Sequence, residues 1–111
     1  MRNIIAIEEF YKVDLRIGTI VKVHDFPNAI KPAFQLIIDF GPLGFKTSSA
    51  QLTRLYQKED LIGKQIVAVA NLKKKQIANF MSECLVLGVV NHDLVTLLCP
   101  EQKVHNGIVV Q

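Results

Sequence analysis

The chain has 111 residues, room for one domain (1–111) and not for a second. Half of them are hydrophobic and 21% are charged, a composition that can bury a core and that excludes intrinsic disorder. The net charge of +3 is unevenly laid: residues 43–75 carry Lys46, Arg54, Lys58, Lys64, Lys73, Lys74 and Lys75 against only Glu59 and Asp60, so that window is +5 and the rest of the chain −2.

The first ten or so residues fit a short amphipathic helix, with Ile7, Phe10 and Tyr11 at i, i+3, i+4 spacing and Glu8 and Glu9 on the other side. The period then changes to two. Over residues 15–24 the odd positions are mostly apolar, which predicts a strand, with Gly18 where a barrel strand would bend sharply. Phe26-Pro27-Asn28-Ala29 is a turn-forming connection. Residues 34–40 predict a second strand with Phe34, Leu36, Ile38 and Phe40 on one face. Gly41-Pro42-Leu43-Gly44 closes a hairpin, and a third strand starts over 45–48. Ser48-Ser49-Ala50-Gln51 has the spacing of a capping box, which predicts a helix burying Leu52, Leu55 and Tyr56, with a further turn that stops at Gly63. Strands follow over 65–72 and 83–90, and a short run over 94–99.

Three strands, a helix, then two or three strands is the order of an OB barrel, an all-β, five-stranded fold whose short helix lies between strands three and four. A β-sandwich or an SH3-like barrel lacks that mid-chain helix. The late strands are apolar on both faces, whereas a small antiparallel barrel should show one face to water. Terminal segments or a second copy of the chain must cover them, so a homodimer is expected. No apolar run reaches the ~20 residues of a membrane helix. The N-terminus runs from Ile4-Ile5 into Glu8-Glu9 without the apolar core and cleavage site of a signal peptide. A soluble, cytoplasmic protein with no membrane insertion is expected.

No catalytic set emerges. There is no nucleophile elbow, P-loop lysine or zinc helix, and the carboxylates are spread singly. Ser48 and Ser49 fit a helix cap better than a nucleophile, and Asp14 beside Arg16 fits a structural ion pair. His24, His92 and His105 have no metal-ligand spacing to Cys84 or Cys99, and the two cysteines sit in apolar runs as small hydrophobes. No enzyme, cofactor or metal is expected.

The informative segment is 73–82, Lys-Lys-Lys-Gln-Ile-Ala-Asn-Phe-Met-Ser, the loop between strands four and five of an OB barrel. OB folds bind oligonucleotides with the face of strands two and three and the loops after strands one and four. Lys73, Lys74 and Lys75 offer phosphate contacts, with Asn79 and Ser82 as polar neighbours. Phe80 offers a stacking surface and Met81 a soft apolar one. The loop after strand one adds Phe26, Asn28 and Lys31. Lys46 and Phe45 lie on strand three, and Arg54 follows it. The competing account is that Phe80 and Met81 pack over the barrel end inside an ordinary solvated lysine face. Without tryptophan and with 7% aromatics, the chain is poorly equipped to stack single strands, so folded RNA read by shape and phosphate fits better.

Residues 7–18, Ile-Glu-Glu-Phe-Tyr-Lys-Val-Asp-Leu-Arg-Ile-Gly, resemble the opening signature of the tRNA-binding OB domain. That domain is appended to bacterial methionyl- and phenylalanyl-tRNA synthetases and also occurs as small free-standing dimers. Pro27-Asn28-Ala29 with Lys31, and Leu61-Ile62-Gly63-Lys64 followed by Val69-Ala70-Asn71-Leu72, continue the match. Residues 37–41 leading to 46–52, and 82–88, are similar to the free-standing CsaA type. The resemblance implies an OB fold and a homodimer built with N- and C-terminal extensions. It also implies tRNA binding, or an export-related chaperone activity toward unfolded or presecretory polypeptides held by apolar pockets, for which Phe26, Phe45, Phe80 and Met81 are the candidates. A subunit that only joins a synthetase-like partner is the alternative. Where the CsaA type usually has a proline-containing stretch, this chain has Lys73-Lys74-Lys75, which favours anionic ligands.

Overall fold

The structure is a computed structural model that describes residues 1–111. One turn of helix, α1 (Ile7–Phe10), leads into the longest strand, β1 (Leu15–Asp25). Next come β2 (Phe34–Asp39), a single 3-10 turn over Gly41–Leu43, β3 (Phe45–Ala50), the short helix α2 (Lys58–Leu61) and β4 (Gln65–Val69). The remaining strands are short: β5 (Lys75–Ile77), β6 (Phe80–Ser82), β7 (Leu85–Val86), β8 (Gly88–Asn91), β9 (Leu94–Leu97) and β10 (Val109–Val110). The principal sheet runs β3-β2-β1-β4-β7, all antiparallel, and curls into a nearly closed five-stranded OB barrel with α2 between β3 and β4.

The barrel closes because β1 serves two neighbours in succession. Its first half, Leu15 to Thr19, pairs with β4, and its second half, Thr19 to Asp25, pairs with β2. A bulge between Ile20 and Lys22 shifts the register and bends the strand. The bulge also reverses the inside–outside parity, so Ile20 and Val23 both enter the core. Alternation over 15–24 is therefore broken at a place the sequence does not mark. Gly18 lies inside the barrel, and the expected bend is one residue pair further on, at the bulge. On the outside, Ile17 is covered by the C-terminal strap: its amide donates to Ile108 O at 3.1 Å and Gly107 N donates to its carbonyl at 2.7 Å. Beyond that, β10 takes the edge of β1 that β2 leaves free.

The core is a cluster around Phe40, Ile20, Leu36, Ile38, Leu52, Leu61 and Ile66. Phe34, Leu36, Ile38 and Phe40 are all buried, as period two predicts. Five expectations need correction. Ser48, Ser49 and Ala50 cap no helix; they are strand residues opposite Leu36, Gln35 and Phe34. A six-pair ladder and a bond from the buried Ser48 hydroxyl to Cys84 O (3.0 Å) outweigh what a local cap offers. The capping box belongs instead to Gln57 and Asp60, at the start of α2. Leu55 is exposed, and the 52–56 segment makes one turn, closed by Tyr56 N to Leu52 O at 3.1 Å. The strand expected over 83–90 is divided at Leu87 between β7 and β8, and β8 pairs with β9 in a hairpin that leaves Val89, Val90 and Leu94 exposed. The 73–82 loop is a second hairpin. In α1, Ile7 and Tyr11 are exposed, so that amphipathic face has no partner within the chain. No helix is long and apolar enough to cross a membrane.

Candidate nucleic-acid interface

The β5–β6 hairpin pairs Lys75 with Ser82, Gln76 with Met81 and Ile77 with Phe80, and turns at Ala78, which adopts a positive φ of 51°. A two-stranded hairpin is marginal alone in water. This one is held from two sides. Its tip carries Phe80, whose ring sits edge-on against Phe26 with centroids 5.5 Å apart. Its base is bonded to β3: Thr47 Oγ1 lies 2.7 Å from Met81 O, Ser49 N donates to Ser82 Oγ at 3.1 Å, and Glu83 N donates to Thr47 O at 2.8 Å. Glu83 Oε1 in turn accepts from Thr47 N (3.0 Å) and lies 2.9 Å from Thr47 Oγ1. The hairpin and the loop after β1 thus flank β3, where an OB barrel receives oligonucleotides.

Folding also rearranges the charge. Three of the seven cations in the 43–75 window meet carboxylates from outside it: Arg54 with Asp93 at 3.2 Å, Lys58 with Asp25 at 3.0 Å, and Lys74 with Glu83 at 3.4 Å. Lys46, Lys64, Lys73 and Lys75 have no carboxylate within 4.0 Å. Pairs exposed on both sides are weak, so Arg54, whose partner Asp93 is 80% exposed, stays available to an anion, whereas the Glu83 partner of Lys74 is only 26% exposed. The Glu83 carboxyl is held below its ordinary value, chiefly by the Thr47 amide, against the opposing effect of burial, with further help from the Thr47 hydroxyl and Lys74. Burial pushes the Cys84 thiol up to about 11, moderated by the nearby Lys46. Cys84 is buried and Cys99 exposed, and both are free. No three His, Cys, Asp or Glu side chains gather as a metal site.

The candidate residues fall into two groups that share β3. Lys46, Lys73, Lys74, Lys75, Asn79, Phe80, Met81 and Ser82 belong to β3 and the hairpin beside it. Lys31 and Arg54 line a separate cleft of about 750 Å³ together with Leu52, Val86, Val90 and Val95. Ser49 touches both, lining the cleft while bonding Ser82. The apolar assignments need correction. Phe26 is 5% exposed and supports Phe80 from beneath, so it offers no ring to a ligand. Phe80 is half-buried on it, whereas Met81 and Phe45 are exposed, and none of the four lines the large cleft. Sequence reasoning missed Thr47 and Glu83, and the cleft-lining Leu52, Val86, Val90 and Val95. Their neighbours, residues 31–54 and 74–95, are brought together only by folding.

Comparison with known proteins decides what kind of barrel this is. The model of a family described as a putative tRNA-binding domain matches residues 15–109. The chain belongs to that family. The methionine–tRNA ligases of Pyrococcus furiosus and Protochlamydia amoebophila are 37% and 32% identical to it over 107 and 109 residues. Those matches cover 96% and 98% of this chain and only 14% and 15% of the ligases. What is shared is therefore their tRNA-binding domain, a binding module and not a catalytic one; this tRNA-binding domain is no enzyme. Among solved structures, the chaperone CsaA of Bacillus anthracis superposes with a TM-score of 0.94 at 48% identity, covering 98% of this chain and 100% of its own. The CsaA chaperone protein of Picrophilus torridus gives 0.92 at 49%, with 97% and 100% covered.

Proposed function

We propose that this tRNA-binding domain acts as a cytoplasmic homodimer that binds tRNA or tRNA-like RNA on the face formed by β3 and the β5–β6 hairpin. The observation that carries the reading is that three exposed or half-exposed cations without carboxylate partners, Lys46 on β3 and Lys73 and Lys75 at the start of the hairpin, lie on neighbouring elements, the hairpin being anchored at both ends. Lys31 and Arg54 extend the positive surface across Ser49. Recognition is chiefly of phosphates and of shape, since the ring best placed to stack, Phe80, is already engaged by Phe26. Support for the dimer comes from the termini. Tyr11, Val13 and Val109 are exposed and line one shallow cleft between α1 and β10, and Ile4, Ile5 and Ile7 extend the apolar surface. A stable homodimer would bury upwards of roughly 1,200 Å² in total.

A second reading has its own observation. The 750 Å³ cleft is lined by apolar residues, Leu52, Leu87 and Val95 among them, beside Lys31 and Arg54, a lining suited to the apolar side chains of an extended polypeptide. The CsaA neighbours are chaperones, so unfolded or presecretory polypeptide is the competing ligand. Sedimentation velocity tests both readings at once. Free protein should sediment as two chains at micromolar concentration. tRNA should bind with a steep salt dependence, and the double variant Lys73→Gln/Lys75→Gln should flatten the slope by about 1.4 to 1.8 units. A monomer would remove the dimer, an unchanged slope the RNA site, and displacement of tRNA by an unfolded presecretory chain would favour the cleft.

A further inference from the structure

A carboxylate inside an anion-binding face repels the ligand, so Glu83 needs a reason to be there. Its side chain is only 26% exposed and both oxygens are occupied. Oε1 takes the Thr47 amide at 3.0 Å and lies 2.9 Å from the Thr47 hydroxyl; Oε2 lies 3.4 Å from Lys74 Nζ. These bonds join β3 to the residues that flank the hairpin, Lys74 before β5 and Glu83 after β6. β3 belongs to the barrel, while β5 and β6 form a two-stranded sheet with no ladder to it. The distance from Lys46 on β3 to the hairpin lysines is therefore set by one backbone bond, Glu83 N to Thr47 O at 2.8 Å, and by the side chains of Glu83, Thr47 and Ser82 with the Phe80–Phe26 contact. The charged group that faces Glu83 is Lys74, on the segment approaching β5; Lys46, the residue before Thr47 on β3, does not pair with it.

We infer that Glu83 is a positioning residue of the RNA-binding face: its carboxylate fixes the β5–β6 hairpin to β3 and holds Lys74 out of the set of cations that contact phosphate. The three consecutive lysines then have two roles. Lys73 and Lys75 meet the backbone of the RNA, and Lys74 fastens the hairpin that carries them. This rests on the RNA reading above for its ligand, but the clamp itself exists without RNA.

Salt titration of tRNA binding separates the lysines. Lys73→Gln and Lys75→Gln should each lower the slope by about 0.7 to 0.9 units, while Lys74→Gln leaves it unchanged. Glu83→Gln releases Lys74 and should raise the slope by a similar increment, a gain abolished in Glu83→Gln/Lys74→Gln. The second measurement uses the free protein: the Thr47 amide proton, followed by NMR against pH, should titrate with a midpoint below the ordinary glutamate range, and should not titrate in Glu83→Gln. Equal loss of slope from Lys74→Gln and Lys73→Gln overturns the inference, as does a Thr47 amide indifferent to pH. If Lys73→Gln and Lys75→Gln also leave the slope untouched, the RNA reading fails and takes the lysine partition with it. The Thr47 titration still decides the clamp. Should Glu83→Gln not fold, Lys74→Gln and the wild-type titration carry the test.

Discussion

Replacing Gly18 by alanine probes the tightest point of the barrel. A Cβ built there would lie 2.6 Å from Ile38 Cγ2 and 2.8 Å from Cδ1 and Cε1 of Phe40. The optimum between carbons is about 3.5–4.0 Å, so the overlap is close to an ångström on two sides. Neither neighbour can retreat, because Ile38 and Phe40 are both 0% exposed at the centre of the core. The strand cannot yield easily either: Gly18 is paired with Ile66 of β4, and the next residue, Thr19, with Asp39 of β2. Overpacking of this kind costs about 1–3 kcal/mol. Removing glycine from the unfolded chain returns about 0.4–1 kcal/mol. Gly18→Ala should therefore lose roughly 1–2 kcal/mol, and Gly18→Ala/Phe40→Leu, which removes the clashing ring, should be more stable than the two single losses predict, by about 0.5 kcal/mol or more. Urea unfolding at fixed protein concentration is the assay, since an oligomer's stability depends on concentration. An alanine variant as stable as the parent, or strictly additive losses in the double variant, would refute the packing argument.

Cys84 supplies a pH test. Its thiol is raised from 9.0 to about 11, so its contribution is whole below pH 9, falls as pH rises through the window and is gone above 11. The stability gap between wild type and Cys84→Ala should shrink by up to about 2.7 kcal/mol from pH 9 to 11 in paired denaturation curves; a constant gap would show the thiol to be solvated. Phe80→Ala should cost less than the roughly 3–5 kcal/mol of a fully buried ring yet weaken tRNA binding several-fold, because the hairpin loses its tip anchor while the barrel keeps Phe26. Urea unfolding and tRNA titration on the same variant check this, and full tRNA affinity would remove Phe80 from the account.

Much of the barrel was legible because its central strands obey a local rule. In β2 every second residue is apolar, and Phe34, Leu36, Ile38 and Phe40 are all inside. The Gly41-to-Gly44 turn was legible for the same reason: its chemistry is contained in four residues. Failures came where a local pattern met a distant partner. Ser48-Ser49-Ala50-Gln51 satisfies the spacing of a helix cap, but the backbone of those serines was claimed by Leu36 and Gln35. The bulge in β1 has no residue signature, so parity could not be carried past Ile20. The charge count suffered likewise. A window that is +5 in sequence loses part of its excess to Asp25, Glu83 and Asp93, which reach it only once the strands have paired.

The candidate site shows the same division, with a consequence for how the face works. The lysine run and Phe80 are visible in one dimension, but their usefulness depends on the seam between β3 and the residues just before β7. That seam is closed without a regular ladder. Thr47 bonds Glu83, Ser48 bonds Cys84, and Ser49 bonds Ser82, so three consecutive β3 residues meet the last residue of the hairpin and the two that follow it. A ladder would have zipped β3 directly to the returning chain and left no reason for the hairpin to stand beside it. Closure by one backbone bond, Glu83 N to Thr47 O, and several side chains brings polar groups to the rim of the barrel, where Ser49 is shared between the lysine face and the cleft. An RNA on one side and a polypeptide on the other would then act on the same few residues.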